Sequence, residues 1–141
     1  MCKLLKQYGP FLGRLCLAII FIIAGFNKIT GFEGTAGYMA SKGLPMVNVL
    51  LVLTIIIELG GGLLILVGWQ ARWAATAIFL FLIPVTLIFH PFWAFEGQDA
   101  THHFHSFFKN LAIMGGMVYI MVFGSGPLSL GKDSCETDAA A

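Results

Sequence analysis

The chain has 141 residues, of which 58% are hydrophobic and only 11% charged, with a net charge of +1 at pH 7. A soluble domain carries about 25% charged residues, so this chain lacks the polar surface for a water-facing shell and reads as one compact integral membrane domain. Its near-balanced charge supplies no basic field for nucleic acid.

The chain opens on a tail, residues 1–10, that carries Lys3 and Lys6. A membrane-spanning helix needs roughly 20 mostly apolar residues. The first predicted span is Phe11–Phe26, and Pro10 just before it suits a helix start. The two lysines and the apolar run behind them look like a secretory leader. Arg14 interrupts that run and no small-residue cleavage site follows, so the segment is expected to stay in the mature chain. The second predicted span is Leu44–Val67, the third Ala71–His90 and the fourth Phe107–Phe123. The first and fourth are short, which puts their ends near the membrane interface. Pro84 is expected to bend the third. Gly60, Gly61 and Gly62, with Gly115 and Gly116, are expected to let helix backbones approach closely, because lipid gives no hydrophobic drive between helices. The membrane domain is expected over 11–130, followed by a polar tail, 131–141, that frays.

The expected architecture is thus an all-α, antiparallel four-helix transmembrane bundle with both tails on one side. Lys3, Lys6, Arg14, Arg72 and Lys132 fall on the tail side, against Lys28, Lys42 and Lys109 opposite. The positive-inside rule then places both termini in the cytoplasm and the bundle in the cell (inner) membrane. Cys2, Cys16 and Cys135 are far apart and form no C-x-x-C, so neither a disulfide framework nor a dithiol redox centre is expected.

Antiparallel packing brings Asn27, Lys28, His90, Lys109 and Asn110 to the mouth of the bundle opposite the tails. The stretch from His90 to Asn110, "HPFWAFEGQDATHHFHSFFKN", holds every histidine of the chain. Its middle, with Asp99, His102, His103 and His105, reads as a loop that lids this mouth. The plainer reading is that polar residues collect at helix ends and that lysines snorkel there. His102 and His105 are spaced to share a helix face and, with His90 and Asp99, invite zinc or copper. No sulfur ligand is near and H-H-x-H is not a specific motif, so no metal is expected.

Glu58 lies nine residues before Val67, about 14 Å deep and close to the midplane of a ~30 Å hydrocarbon core. A carboxylate there needs a partner inside the bundle. Arg14, about 9 Å shallower by the same rise, is the natural candidate. The pair is either a structural clamp or part of a protonatable site that serves a bound ligand.

Together these residues resemble the DoxX family of small four-helix membrane proteins, over about Leu12 to Leu130. The resemblance is carried by "RLCLAIIFIIAGFNKI", "IELGGGLLILVGWQARWAA", "HPFWA" and "FFKNLAIMGG" followed by "GSGPLSL". The last piece departs from the family's Gly-Pro-Gly, and the run His102, His103, His105 matches no family motif. The resemblance implies a membrane subunit of an oxidoreductase. Family members include the small subunit of an archaeal thiosulfate:quinone oxidoreductase, and a mycobacterial membrane protein in complex with a superoxide dismutase and a sulfurtransferase. The matching positions are Arg14, Asn27, Lys28, Glu58, His90, Lys109 and Asn110.

Three functions follow as expectations. In a quinone-linked redox subunit, His90, Lys109, Asn110 and Asn27 bind the headgroup, Lys28 stabilises its anionic reduced form, and Glu58, His90 and Arg14 are the candidate catalytic groups. No flavin, nicotinamide or iron–sulfur motif is present, so a protein partner would supply the electrons and the chain alone would not be a complete enzyme. In a scaffold, the polar mouth recruits a redox or stress-response protein and the buried charges lock the bundle. A small-solute or proton transporter ranks last, because no inverted repeat is evident. The lipid bilayer is one expected partner and a second copy of the chain another.

Overall fold

The computed structural model describes residues 2–131. Lys132, Cys135 and the rest of the predicted polar tail lie outside the described residues. The elements are α1 (Cys2–Thr30), α2 (Phe32–Ser41), α3 (Val47–Ile55), a π-helical turn (Ile56–Gly60), α4 (Gly61–Val67), α5 (Ala71–Phe89), a 3-10 turn (Phe92–Ala94) and α6 (Gly97–Phe123). Among the described residues there is no strand. Helix α3, the π turn and α4 form one continuous rod, so four helical spans are long and apolar enough to cross a membrane. They pack antiparallel, as the sequence leads one to expect.

Two helices outrun their predicted spans, for the same reason. Helix α1 starts at Cys2 and runs through Pro10 to Thr30, so Pro10 is an internal residue, and Lys28 sits inside the helix instead of beyond its end. Helix α6 starts at Gly97, so Asp99 and the histidines ride its first turns and form no loop lid. In both cases the apolar stretch ends before the helix does. Polar residues with adequate helix propensity continue it past the hydrocarbon boundary, and Asp99 in the first turn of α6 suits the positive end of the helix dipole. Helix α5 runs unbroken through Pro84.

In lipid, small residues and close contact carry the packing. Span one meets span two with almost no side chain between them. A methyl group built on Gly25 would lie 2.8 Å from Cβ of Leu59, and one on Gly62 would lie 3.2 Å from the carbonyl of Ala18. The interface therefore fixes the register of α1 against α4 and the π turn. The remaining core is dominated by Ala74, Ala75, Ile65, Ile78 and Met117. Outside it, a large apolar perimeter faces lipid. Trp73 is 74% exposed at one end of α5 and Trp93 61% exposed beyond the other. Twenty residues separate them in the numbering, about 30 Å at helical rise, which matches the hydrocarbon thickness between two interfacial aromatic belts.

Arg14 explains the end of the bundle nearest the tails. It is fully buried, and its guanidinium donates to the carbonyls of Ile65 (3.1 Å) and Leu66 (3.0 Å) in the last turn of α4 and to Leu128 (2.8 Å) in the segment after α6. A helix leaves its last carbonyls without intrahelical donors. Here Gly68, in the left-handed region at φ 71°, closes a Schellman turn in which the N–H of Trp69 and of Gly68 return to Leu64 and Ile65. Arg14 takes Leu66, and the N–H of Leu130 takes Val67 at 2.9 Å. Every carbonyl of that last turn is satisfied, with a cation at the negative end of the helix.

Candidate functional site

The expected Arg14–Glu58 contact does not form. Glu58 pairs instead with Lys28, whose ammonium lies 2.8 Å from Oε2. The reason for the correction is register. Close packing of Gly25 on Leu59 brings Lys28 within one turn of Glu58, while Arg14 lies level with the end of α4.

Glu58 sits in the π turn Ile56–Gly60, eleven residues from Val47 in a span that runs Val47–Val67, and so near mid-membrane. A π turn inside an α-helical rod widens the backbone locally, and such turns concentrate at functional sites. Glu58 is buried and Lys28 partly so.

The pair borders a cavity of about 430 Å³, lined by Asn27, Lys28, Tyr38, Glu58 and His90 among its polar groups and by Phe81, Val85 and Phe89 on its apolar wall. Pockets for small organic ligands run from roughly 300 to 1,000 Å³, mostly apolar with a few convergent polar groups, and this cavity has that composition. Each wall comes from helical spacing. Ala24, Asn27 and Lys28 belong to one face of α1, Thr54 and Glu58 to one face of span two, and Phe81, Val85 and Phe89 to one face of α5.

Asn27, Lys28, Glu58 and His90 are therefore brought together. The other predicted residues are not. Lys109 is exposed and Asn110 buried, and neither lines the cavity. Asn110 donates from Nδ2 to Thr86 Oγ1 at 3.0 Å, a clamp between α6 and α5. Arg14 is likewise committed to helix-end carbonyls and stands outside the cavity. Among the described residues no three or more His, Cys, Asp or Glu side chains gather into a group that could hold a metal ion.

Thr35, Tyr38 and Met39 of α2, and Thr54 of α3, were not anticipated and also line the cavity. The i, i+3, i+4 spacing of the α2 residues was the available signal, but Gly34 and Gly37 obscured the helix. Tyr38 rests on Phe89, with ring centroids 5.6 Å apart, and Lys42 lies 5.5 Å from the Tyr38 ring. Helix α2 thus roofs the cavity where the sequence offered only a connection. At its edge His90 Nδ1 lies 3.5 Å from His103 Nδ1.

Comparison with known proteins agrees with this architecture. The inner membrane protein YqjF of Escherichia coli (strain K12) is 37% identical over 92% of this chain and 95% of its own. The inner membrane protein YphA of the same organism is 31% identical over 86% of each chain. CatD of Bacillus subtilis (strain 168), whose name proposes an oxidoreductase, is 37% identical over 58% of this chain and 56% of its own. No solved structure matches. The DoxX family profile matches residues 9–91, which hold Arg14, Asn27, Lys28, Glu58 and His90 but neither Lys109 nor Asn110. With that match and the relatives' near-complete coverage, the chain belongs to the DoxX family of membrane proteins.

Proposed function

We propose that the chain is a membrane subunit of an oxidoreductase system and that its cavity holds a quinone headgroup. The observation that carries this reading is the meeting of Lys28, Glu58, Asn27, Tyr38 and His90 with an aromatic wall in one membrane-depth cavity. A quinone, when bound, supplies two-electron redox chemistry. Its headgroup is flat and apolar with two oxygens that accept hydrogen bonds. Phe81 and Phe89 suit its faces, and the ammonium of Lys28 and the Asn27 amide suit its oxygens. His90 and Glu58 are the groups that can hand over or take up a proton. A lone cation or carboxylate at this depth would be costly, and pairing Lys28 with Glu58 keeps both charged groups available at the cavity wall. Electrons come from a protein partner. A relative whose name proposes an oxidoreductase supports the same class of chemistry.

We place both termini in the cytoplasm. Arg14 is buried in the bundle and Lys28 is paired inside it, so among the described residues the cations left to set topology are Lys3, Lys6 and Arg72 at the tail end and Lys42 and Lys109 at the other, and Lys132 follows in the sequence.

The test is the quinone content of the protein purified in mild detergent. Near one quinone per chain is expected for the wild type, with at least a tenfold loss, roughly 1.4 kcal/mol, in His90→Ala and in Glu58→Gln. Background quinone in folded wild-type protein would turn the reading to a scaffold whose polar mouth recruits another protein.

A further inference from the structure

His103 is left unexplained by the cavity. It is half-buried, whereas His102 and His105 on the same helix are exposed. The ring of Phe95 stacks on it, with centroids 4.2 Å apart and planes 20° from parallel, and Lys42 lies 5.7 Å from the Phe95 ring. So held, His103 presents Nδ1 to Nδ1 of His90 at 3.5 Å. His90 lines the cavity and His103 does not. The two imidazoles link the first turns of α6 to the rim of the cavity.

A neutral imidazole carries one N–H and one bare nitrogen, so of two facing Nδ1 atoms one donates and the other accepts. A proton taken up at Nε2 of one ring releases the Nδ1 proton across the gap, and the second ring releases its own Nε2 proton. Each transfer breaks one N–H bond and forms another, leaves no charge behind, and is reset when the rings exchange tautomers. The charged and titratable groups that act on His90 are His103, Lys109 and His102 from α6 and Lys42 from the end of α2, and Glu58 lines the same cavity.

We infer that His103 and His90 form a two-imidazole proton conduit between the exposed end of α6 and the cavity, with His103 as a positioning residue that acts through His90. The inference rests on the quinone reading. A quinone becomes a quinol by taking up two electrons and two protons and forming two O–H bonds, and its protons must reach the cavity that His90 lines. The electrons come from a reduced redox protein, or from dithionite in the test.

Two measurements on the full chain in nanodiscs decide it. The first uses ¹⁵N-histidine NMR without added quinone. The Nδ1 signal of His90 is expected to shift in His103→Gln far more than in His102→Gln, because only His103 faces that nitrogen at 3.5 Å. An unchanged His90 Nδ1 signal in His103→Gln overturns the conduit. The second loads the protein with decyl-benzoquinone and follows reduction of the bound quinone by dithionite in stopped flow. His103→Gln is expected to slow it at least about tenfold, at the low end of general acid–base effects, with quinone per chain unchanged and the rate restored by added imidazole. Phe95→Ala, which keeps both imidazoles but frees the His103 ring, is the second variant and is expected to slow it less. Wild-type rates in both variants at equal occupancy overturn the conduit. Absence of bound quinone in the wild type overturns the quinone reading, and the NMR comparison of His90 in the two variants then decides the histidine pair by itself.

Discussion

Of the four cations of α1, Lys28 and Arg14 lie about four helical turns apart and so on one face, the one toward the bundle interior. Azimuth could not choose between them as partner for Glu58. Register could, and it depends on where α1 ends and on which glycine meets which side chain, neither of which hydrophobicity marks. Breaking the observed pair leaves an uncompensated buried charge, which costs about 3–5 kcal/mol. Lys28→Met is therefore expected to lower the thermal unfolding midpoint in detergent clearly, and the double variant Lys28→Met, Glu58→Gln to regain much of the loss. Equal midpoints for the single and double variants would contradict the pairing. Asn27, Glu58 and His90 were legible as site residues because polar groups stand out in apolar sequence. Tyr38 and Thr54 were not, because a hydroxyl in a helix is ordinary until its neighbours are known.

At the scale of the element, the four spans were readable from length and apolarity alone, while the ends of α1 and α6 were not, since helices outlast their hydrophobic stretch. The segment Phe32–Ser41 reads as a connection, yet it folds as α2 and roofs the cavity. The end of α4 carries the clearest prediction here. Arg14→Ala strips donors from buried carbonyls, at about 1–3 kcal/mol for each group left unsatisfied. The unfolding midpoint should fall strongly, and Arg14→Lys should rescue it poorly, because an ammonium cannot span two carbonyl sites as a planar fork does. Folded Arg14→Lys protein should still hold its quinone. Loss of quinone with an unchanged midpoint would instead return Arg14 to the site. Gly62→Leu should also unfold the bundle, since the carbonyl of Ala18 and the side chain of Ile22 fill that space.

For the whole molecule, composition decided the solvent, and the solvent decided much else: helices only, small residues at interfaces, cations at helix ends. The antiparallel order follows from four spans with short connections, and the two tryptophan belts fit one bilayer thickness. Orientation is tested with Cys2, which is exposed. In a variant retaining Cys2 alone, an impermeant maleimide should label intact cells only after permeabilisation. Labelling before permeabilisation would invert the topology and put the cavity mouth on the cytoplasmic side. What composition could not convey is that the polar groups split in two, with Arg14 holding the tail end together and Lys28, Glu58 and His90 left to face a cavity.

The central claim is that this cavity takes the quinone, and photolabelling with an azido-quinone followed by peptide mapping tests it most directly. Label is expected on the cavity walls, in the segments holding Ala24 to Lys28, Thr35 to Met39 and Phe81 to His90. It should be suppressed by excess unlabelled quinone and by Glu58→Gln. Label spread instead over the lipid-facing perimeter, around Leu53, Tyr119 and Phe123, and insensitive to both, would contradict it.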